Sequence, residues 1–189
     1  MKLQSKTERI ILGIDPGTSI MGYGVLKECG NELSLITLGI IKLDHLNNHA
    51  LKLQSIFNKT TEIIKAYNPD CMALEAPFFG KNIQSMLKLG RAQGVAMAAG
   101  LAFNIPIFEY APRKIKQAVT GNGNAGKEQV AAMLQTLLKF KENPQFLDAT
   151  DGLAAAVCHS FQKVGGNSNL QSYSGWEAFV KDNQNRLKK

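Results

Sequence analysis

Three apolar stretches follow one another closely near the start of the chain: residues 9–15, 20–28 and 33–42. Each reads as a strand, and Gly17, Gly22, Gly24 and the Gly30-Asn31 pair read as the turns between them. Connections this short predict an antiparallel meander. Residues 47–67 then switch to a helical period, with Leu53, Ile56, Phe57, Ile63, Ile64 and Tyr67 on one stripe. Asn68-Pro69 stops that helix, and residues 71–75 form a fourth strand. A long helix is expected from Asn82 to Phe103 and a fifth strand over 106–110. Pro112 opens another helix at its first turn. Gly121 to Gly126 reads as a flexible loop, Lys127 to Phe140 as a helix, and Phe146 to Lys163 as the last helix. The sum is an α/β fold with a five-stranded mixed sheet. Its first and fourth strands lie side by side at the centre.

Four acidic residues break this pattern. Asp15 ends the run Ile10-Ile11-Leu12-Gly13-Ile14, and Glu75 ends Met72-Ala73-Leu74. A lone carboxylate at the end of a buried strand is costly unless something compensates it. Asp148 and Asp151 stand three apart at the start of an Ala-rich helix, so they share a face. Helix capping alone needs only one of them. Carboxylates from strand ends and one helix face are how a fold gathers oxygen ligands for divalent cations.

Length and composition set the frame. The 189 residues suit one domain, read here as 1–164, with a polar tail over 165–189 that reads as disordered. No apolar run is long enough to span a membrane, and no signal-peptide core follows Met1. Cys29, Cys71 and Cys158 are scattered and odd in number, which suits reduced cytosolic thiols. A cytoplasmic protein is expected.

The net charge of +7 is unevenly placed. Residues 76–92 carry Lys81, Lys88 and Arg91 and no acid. Residues 112–142 carry Arg113, Lys114, Lys116, Lys127, Lys139 and Lys141 against Glu128 and Glu142. These stretches hold the whole excess, and they flank the acids. That arrangement suggests a polyanion held over bound metal; ordinary solvated helix faces are the alternative.

Smaller features divide in the same way. Asp15-Pro16-Gly17-Thr18 is a metal-ligating turn, a phosphate loop like those of actin-like kinases, or a plain turn. Phe78 and Phe79 follow Glu75; Phe79 reads as core, and Phe78 as an aromatic free to stack on unpaired bases. Gly90 and Gly94, one turn apart on a helix, call for close approach of another backbone, either inside the chain or from a second subunit. His159 reads as a packing residue, and His45 and His49 as loop residues.

Taken in order, several segments closely resemble the RuvC family of bacterial Holliday junction resolvases. They are Ile11-Leu12-Gly13-Ile14-Asp15-Pro16-Gly17, Leu74-Glu75, Lys81-Asn82, Leu87-Lys88-Leu89-Gly90-Arg91-Ala92-Gln93-Gly94 and Tyr110-Ala111-Pro112. Lys116-Gln117, Gly121-Asn122-Gly123, Lys127-Glu128-Gln129-Val130 and Asp148-Ala149-Thr150-Asp151-Gly152-Leu153-Ala154 complete the set. The resemblance spans about residues 9–163.

It implies a ribonuclease H-like fold, a homodimer, and Mg2+-dependent, paired nicking of four-way junction DNA. Two Mg2+ per site are implied, with Mn2+ as a substitute. The catalytic and metal-binding acids fall on Asp15, Glu75, Asp148 and Asp151. DNA contacts are expected from Phe78, Lys81, Lys88, Arg91, Arg113, Lys116 and Lys127. Partnership with the RuvA–RuvB branch-migration machinery is implied as well. The chain departs from the pattern at Ala76-Pro77, at Asn124, and at Gly152, which stands where relatives usually carry Ala. An actin-like ATPase or kinase domain and a non-catalytic branched-DNA-binding protein are the rival readings.

Overall fold

The computed structural model describes residues 8–77, 82–141 and 147–163. The expected 165–189 tail lies outside these. Five strands are present: β1 Glu8–Asp15, β2 Ile20–Cys29, β3 Glu32–Lys42, β4 Cys71–Glu75 and β5 Ile107–Tyr110. Five helices accompany them: α1 His49–Tyr67, α2 Ile83–Leu101, α3 Pro112–Thr120, α4 Lys127–Leu138 and α5 Leu147–Lys163. The sheet order is β3-β2-β1-β4-β5. β1, β2 and β3 pair antiparallel, while β4 pairs parallel with both β1 and β5. The expected meander and the central β1–β4 pair are both present.

Local chemistry sets the element ends. The Asn48 side chain accepts a hydrogen bond from the Ala50 amide and starts α1. Asn68 takes the left-handed conformation that ends α1, and Pro69 follows. The Asn82 side chain caps α2 through the Ser85 amide at 3.1 Å. Asp70 accepts from the Ile10 amide at 2.7 Å and ties the start of β4 to β1.

Each face of the sheet carries its own core. Leu12, Ile14, Met21, Val25, Met72 and Leu74 pack under α1 and α2. Ile11, Leu26, Cys71 and Ala73 pack under α3, α4 and α5. Side chains alternate along a strand, so Ile11, Gly13 and Asp15 share the α5 face, as do Cys71, Ala73 and Glu75. Two acids one residue beyond the Ile14–Leu74 pair therefore point to the same side of the sheet.

Three sequence readings are corrected. Phe57 does not join the buried stripe of α1; it is exposed, while Ile56, Ile63 and Ile64 form the buried part. Gly22 and Gly24 are not turn residues: both lie inside β2, opposite Asp15 and Gly13. Their role is close packing. A Cβ at Gly22 would overlap the Asp148 carbonyl, and one at Gly24 would sit 2.6 Å from Leu153 Cα. From the other side, a Cβ at Gly152 would lie 2.7 Å from the Gly22 oxygen. The backbones of α5 and the sheet therefore touch directly.

The 121–126 loop is not free. Gln117 accepts from the Gly123 amide at 3.0 Å and donates to the Gly121 carbonyl at 2.6 Å, and Gly121 takes a positive φ of 75°.

Candidate active site

Four elements meet at one end of the sheet. β1 delivers Asp15, β4 delivers Glu75, α5 delivers Asp148 and Asp151, and α4 brings its first residue, Lys127. The α5 acids reach Asp15 because the glycines of β1 and β2 let the helix lie on bare backbone. The Asp15 loop is held from the other face, where Lys52 of α1 donates to the Thr18 carbonyl at 2.9 Å.

A cleft of about 180 Å³ opens here, lined by Asp15, Glu75, Lys116, Lys127, Asp151 and the apolar Ile115, Val130 and Ala154. A second, of about 130 Å³, lies between Asp15, Pro16, Glu75, Ala76, Pro77 and Leu89. Asp15 and Glu75 line both, so the two spaces adjoin at the acids. Asp148 stands further out, its side chain 45% exposed against 24% for Asp151.

Crowded acids behave as electrostatics demands. Burial, then repulsion from Glu75 and Asp151, pushes the Asp15 carboxyl up to about 8, with Lys127 pulling the other way. Burial and Asp151 raise Glu75 to about 7. Burial also raises Asp151, against the opposing hydrogen bond from Lys127. The Lys127 ammonium bridges Asp148 Oδ1 at 2.6 Å and Asp151 Oδ2 at 2.8 Å. Burial lowers the Lys127 pKa, but these two bonds outweigh it and hold the group above the usual lysine range.

The donor set suits a hard divalent cation. It consists of carboxylate oxygens only, it is electrostatically unsatisfied, and an ammonium already bridges two of its members. Among the described residues, no three such ligands stand close enough to form a ready-made cage. The acids share a site without being drawn together.

The expected DNA contacts divide by position. Lys116 lines the cleft, and its charge lowers the pKa values of both Glu75 and Asp151. Lys127 also lines the cleft, but in the ion pairs just described. Lys88 and Arg91 are exposed on α2, flanking Leu89 at the second cleft. Arg113 is exposed on α3, with its stem against Gly123. Phe78, Phe79 and Lys81 lie outside the described residues.

His159 is a packing residue, as expected. It is buried, 2.6 Å from the Tyr110 hydroxyl and stacked on Phe108. Sequence reasoning missed the glycines that seat α5. The signal was present as Gly13, Gly22 and Gly152, but nothing in the sequence pairs them. It also missed Lys52, whose reach to Thr18 only the fold reveals.

Known proteins match this chain closely. The family model for crossover junction endodeoxyribonuclease RuvC matches residues 11–159. A Bacteroides fragilis relative of that description is 59% identical over 188 residues, covering 98% of this chain and all of its own. One from Christiangramia forsetii is 58% identical over 183 residues, covering 97% of this chain and 95% of its own. Among solved structures, Thermus thermophilus RuvC in complex with Holliday junction substrate superposes with a TM-score of 0.77 at 30% identity, covering 84% of this chain and 96% of that one. The shared sheet is the ribonuclease H-like arrangement, and the chain belongs to the crossover junction endodeoxyribonuclease RuvC family.

Proposed function

We propose that this chain resolves four-way DNA junctions by hydrolysing phosphodiester bonds at the Asp15–Glu75–Asp148–Asp151 site. The observation that carries the reading is the meeting of Asp15, Glu75 and Asp151 from β1, β4 and α5 in a cleft walled by Lys116 and Lys127, with Asp148 joined to it from outside through the Lys127 ammonium. Phosphodiester hydrolysis needs a nucleophilic water and relief of charge on the phosphate. Asp15, Glu75, Asp148 and Asp151 would hold two Mg2+ ions, with Mn2+ as a substitute. Bound there, the metal supplies a water acidified toward hydroxide and positive charge at the reacting phosphate.

The chain's own residues do the rest. Asp15 and Glu75, fixed at the ends of adjacent parallel strands, set the floor of the site. Lys116 stands where it can meet the backbone phosphate of a bound strand. Ile115, Val130 and Ala154 form the dry wall of the cleft. Lys88, Arg91 and Arg113 extend the basic surface outward, in keeping with a DNA backbone tracked by point charges. Phe78 and Lys81 remain our candidates for contacts at the crossover.

The resolving unit is proposed to be a homodimer, since paired nicks need two sites related by symmetry. Ile83, Leu87 and Leu101 are exposed on α2, on one stripe with Gly90 and Gly94. A Cβ at either glycine would meet nothing within 4 Å, so among the described residues no other backbone of the chain lies close to them. The described residues supply no internal neighbour for this pair, and a second copy is the occupant that suits it. Partnership with RuvA–RuvB belongs to the same family reading.

The test is incubation with a synthetic four-way junction, with and without Mg2+, and mapping of the nicks. Paired symmetric nicks are expected in Mg2+ only. Asp15→Asn should bind the junction and not cleave it. Cleavage by that variant at near wild-type rate would remove Asp15 from the reaction.

A further inference from the structure

The acid cluster already holds a cation, and that cation belongs to the protein. Lys127 Nζ lies 2.6 Å from one carboxylate and 2.8 Å from the other, both charge-assisted hydrogen bonds. The two acids are one helical turn apart on α5, and Lys127 is the first residue of α4, so the bridge joins two elements. The cleft that contains this ammonium also contains Asp15 and Glu75. A metal entering the cleft and the ammonium therefore seek the same oxygens. Two positive charges that share one pair of carboxylates compete.

We infer that Lys127 is a built-in placeholder: its ammonium occupies the Asp148–Asp151 pair in the metal-free protein and must leave before a divalent cation can bind there. This rests on the proposed metal site and adds a different role for Lys127 from that of a standing DNA contact. It also explains why the acids share a site without forming a ready-made cage among the described residues. Asp148 and Asp151 each give an oxygen to the ammonium between them. The placeholder keeps a crowded, partly buried acid cluster folded without metal. In exchange, the metal must displace it. Once displaced, the lysine sits on a flexible four-carbon stem beside the cleft, free to meet a phosphate.

The test is direct Mg2+ binding to the DNA-free protein by calorimetry, comparing wild type with Lys127→Met. Methionine keeps an apolar stem and removes the charge. The variant should bind Mg2+ roughly tenfold more tightly, the equivalent of about 1.4 kcal/mol. Its metal-free melting temperature should fall below that of wild type, and saturating Mg2+ should close the gap. Lys127→Gln serves if the methionine variant does not fold. In wild-type protein carrying 13C-labelled lysine, the Lys127 Cε resonance should shift with the same Mg2+ midpoint. Equal or weaker Mg2+ binding by the variants, or a Lys127 signal blind to Mg2+, overturns the placeholder. Absence of Mg2+ binding by wild type and variants alike, at millimolar metal, would instead overturn the metal site itself and the placeholder with it.

Discussion

At the scale of single residues, the cost of Asp15 is the feature with the sharpest consequence. Burial and its acidic neighbours hold its carboxyl at about 8, against 3.8 for the free group. Between those values the folded chain keeps a proton that the unfolded chain has released. Stability is therefore greatest below pH 4 as far as this group is concerned, and is lost as pH rises toward 8. Each unit of separation corresponds to about 1.4 kcal/mol, so the effect amounts to a few kcal/mol after solvent at the cleft mouth is allowed for. Without metal, Asp15→Asn should unfold at higher urea than wild type at pH 8.5, and the difference should vanish near pH 4. A variant no more stable than wild type at pH 8.5 would show that Asp15 ionises freely in the fold. Glu75, held at about 7, should leave a smaller slope in the same direction in the variant. Asp15 and Glu75 were legible in the sequence because a carboxylate that ends an apolar run has no cheap explanation. The Lys127 ion pairs were not legible. A lysine's reach depends on which helix ends beside which, and charge counting assigns it equally well to solvent or to phosphate.

At the scale of elements, the α5–sheet contact decides whether a site exists at all. The strand and helix boundaries followed from turn residues and periodicity, because each is a local property. Gly22 and Gly24 were misread for the same reason. A glycine in a short apolar stretch marks a turn in one chain and a close approach in another, and only the partner tells them apart. Here the partner is α5, with the Asp148 carbonyl over Gly22 and Gly152 against it from the helix side. Gly152 read as a small loss of helix propensity; in the fold it is the thin point that lets two backbones meet. Gly22→Ala places a methyl group where the Asp148 carbonyl lies, and neither atom belongs to a flexible side chain. The helix must lift at its acidic end. Such overpacking costs about 1–3 kcal/mol, which the urea midpoint will read. Junction cleavage should fall more than tenfold, since a misplacement of about 1 Å near the chemistry is enough. A variant that is destabilised and still cleaves at full rate would separate the glycine packing from the site.

At the scale of the whole molecule, the sequence predicted the layers and the order of the central strands, because the ten elements of the described residues leave few ways to cover both faces of one sheet. It could not say what lies on the outer face of α2. Gly90 and Gly94 signalled a close neighbour, and two kinds of neighbour fitted. Among the described residues the fold supplies none, and it leaves Ile83 72%, Leu87 57% and Leu101 59% exposed on the same stripe. A helix that shows leucine, isoleucine and two glycines to water suits a second copy laid across it, the glycines allowing close backbone approach. Leu87→Asp tests this without touching the acids. Its side chain is exposed in the single chain, so the folded monomer should lose less than about 1 kcal/mol. Placed at a self-contacting face, the same charge would meet its symmetry mate. Light scattering should then report half the wild-type mass. Paired nicks across a junction should disappear, while slow single nicks persist at sites that remain chemically intact. A dimeric Leu87→Asp protein that still makes paired nicks would move the subunit contact off α2.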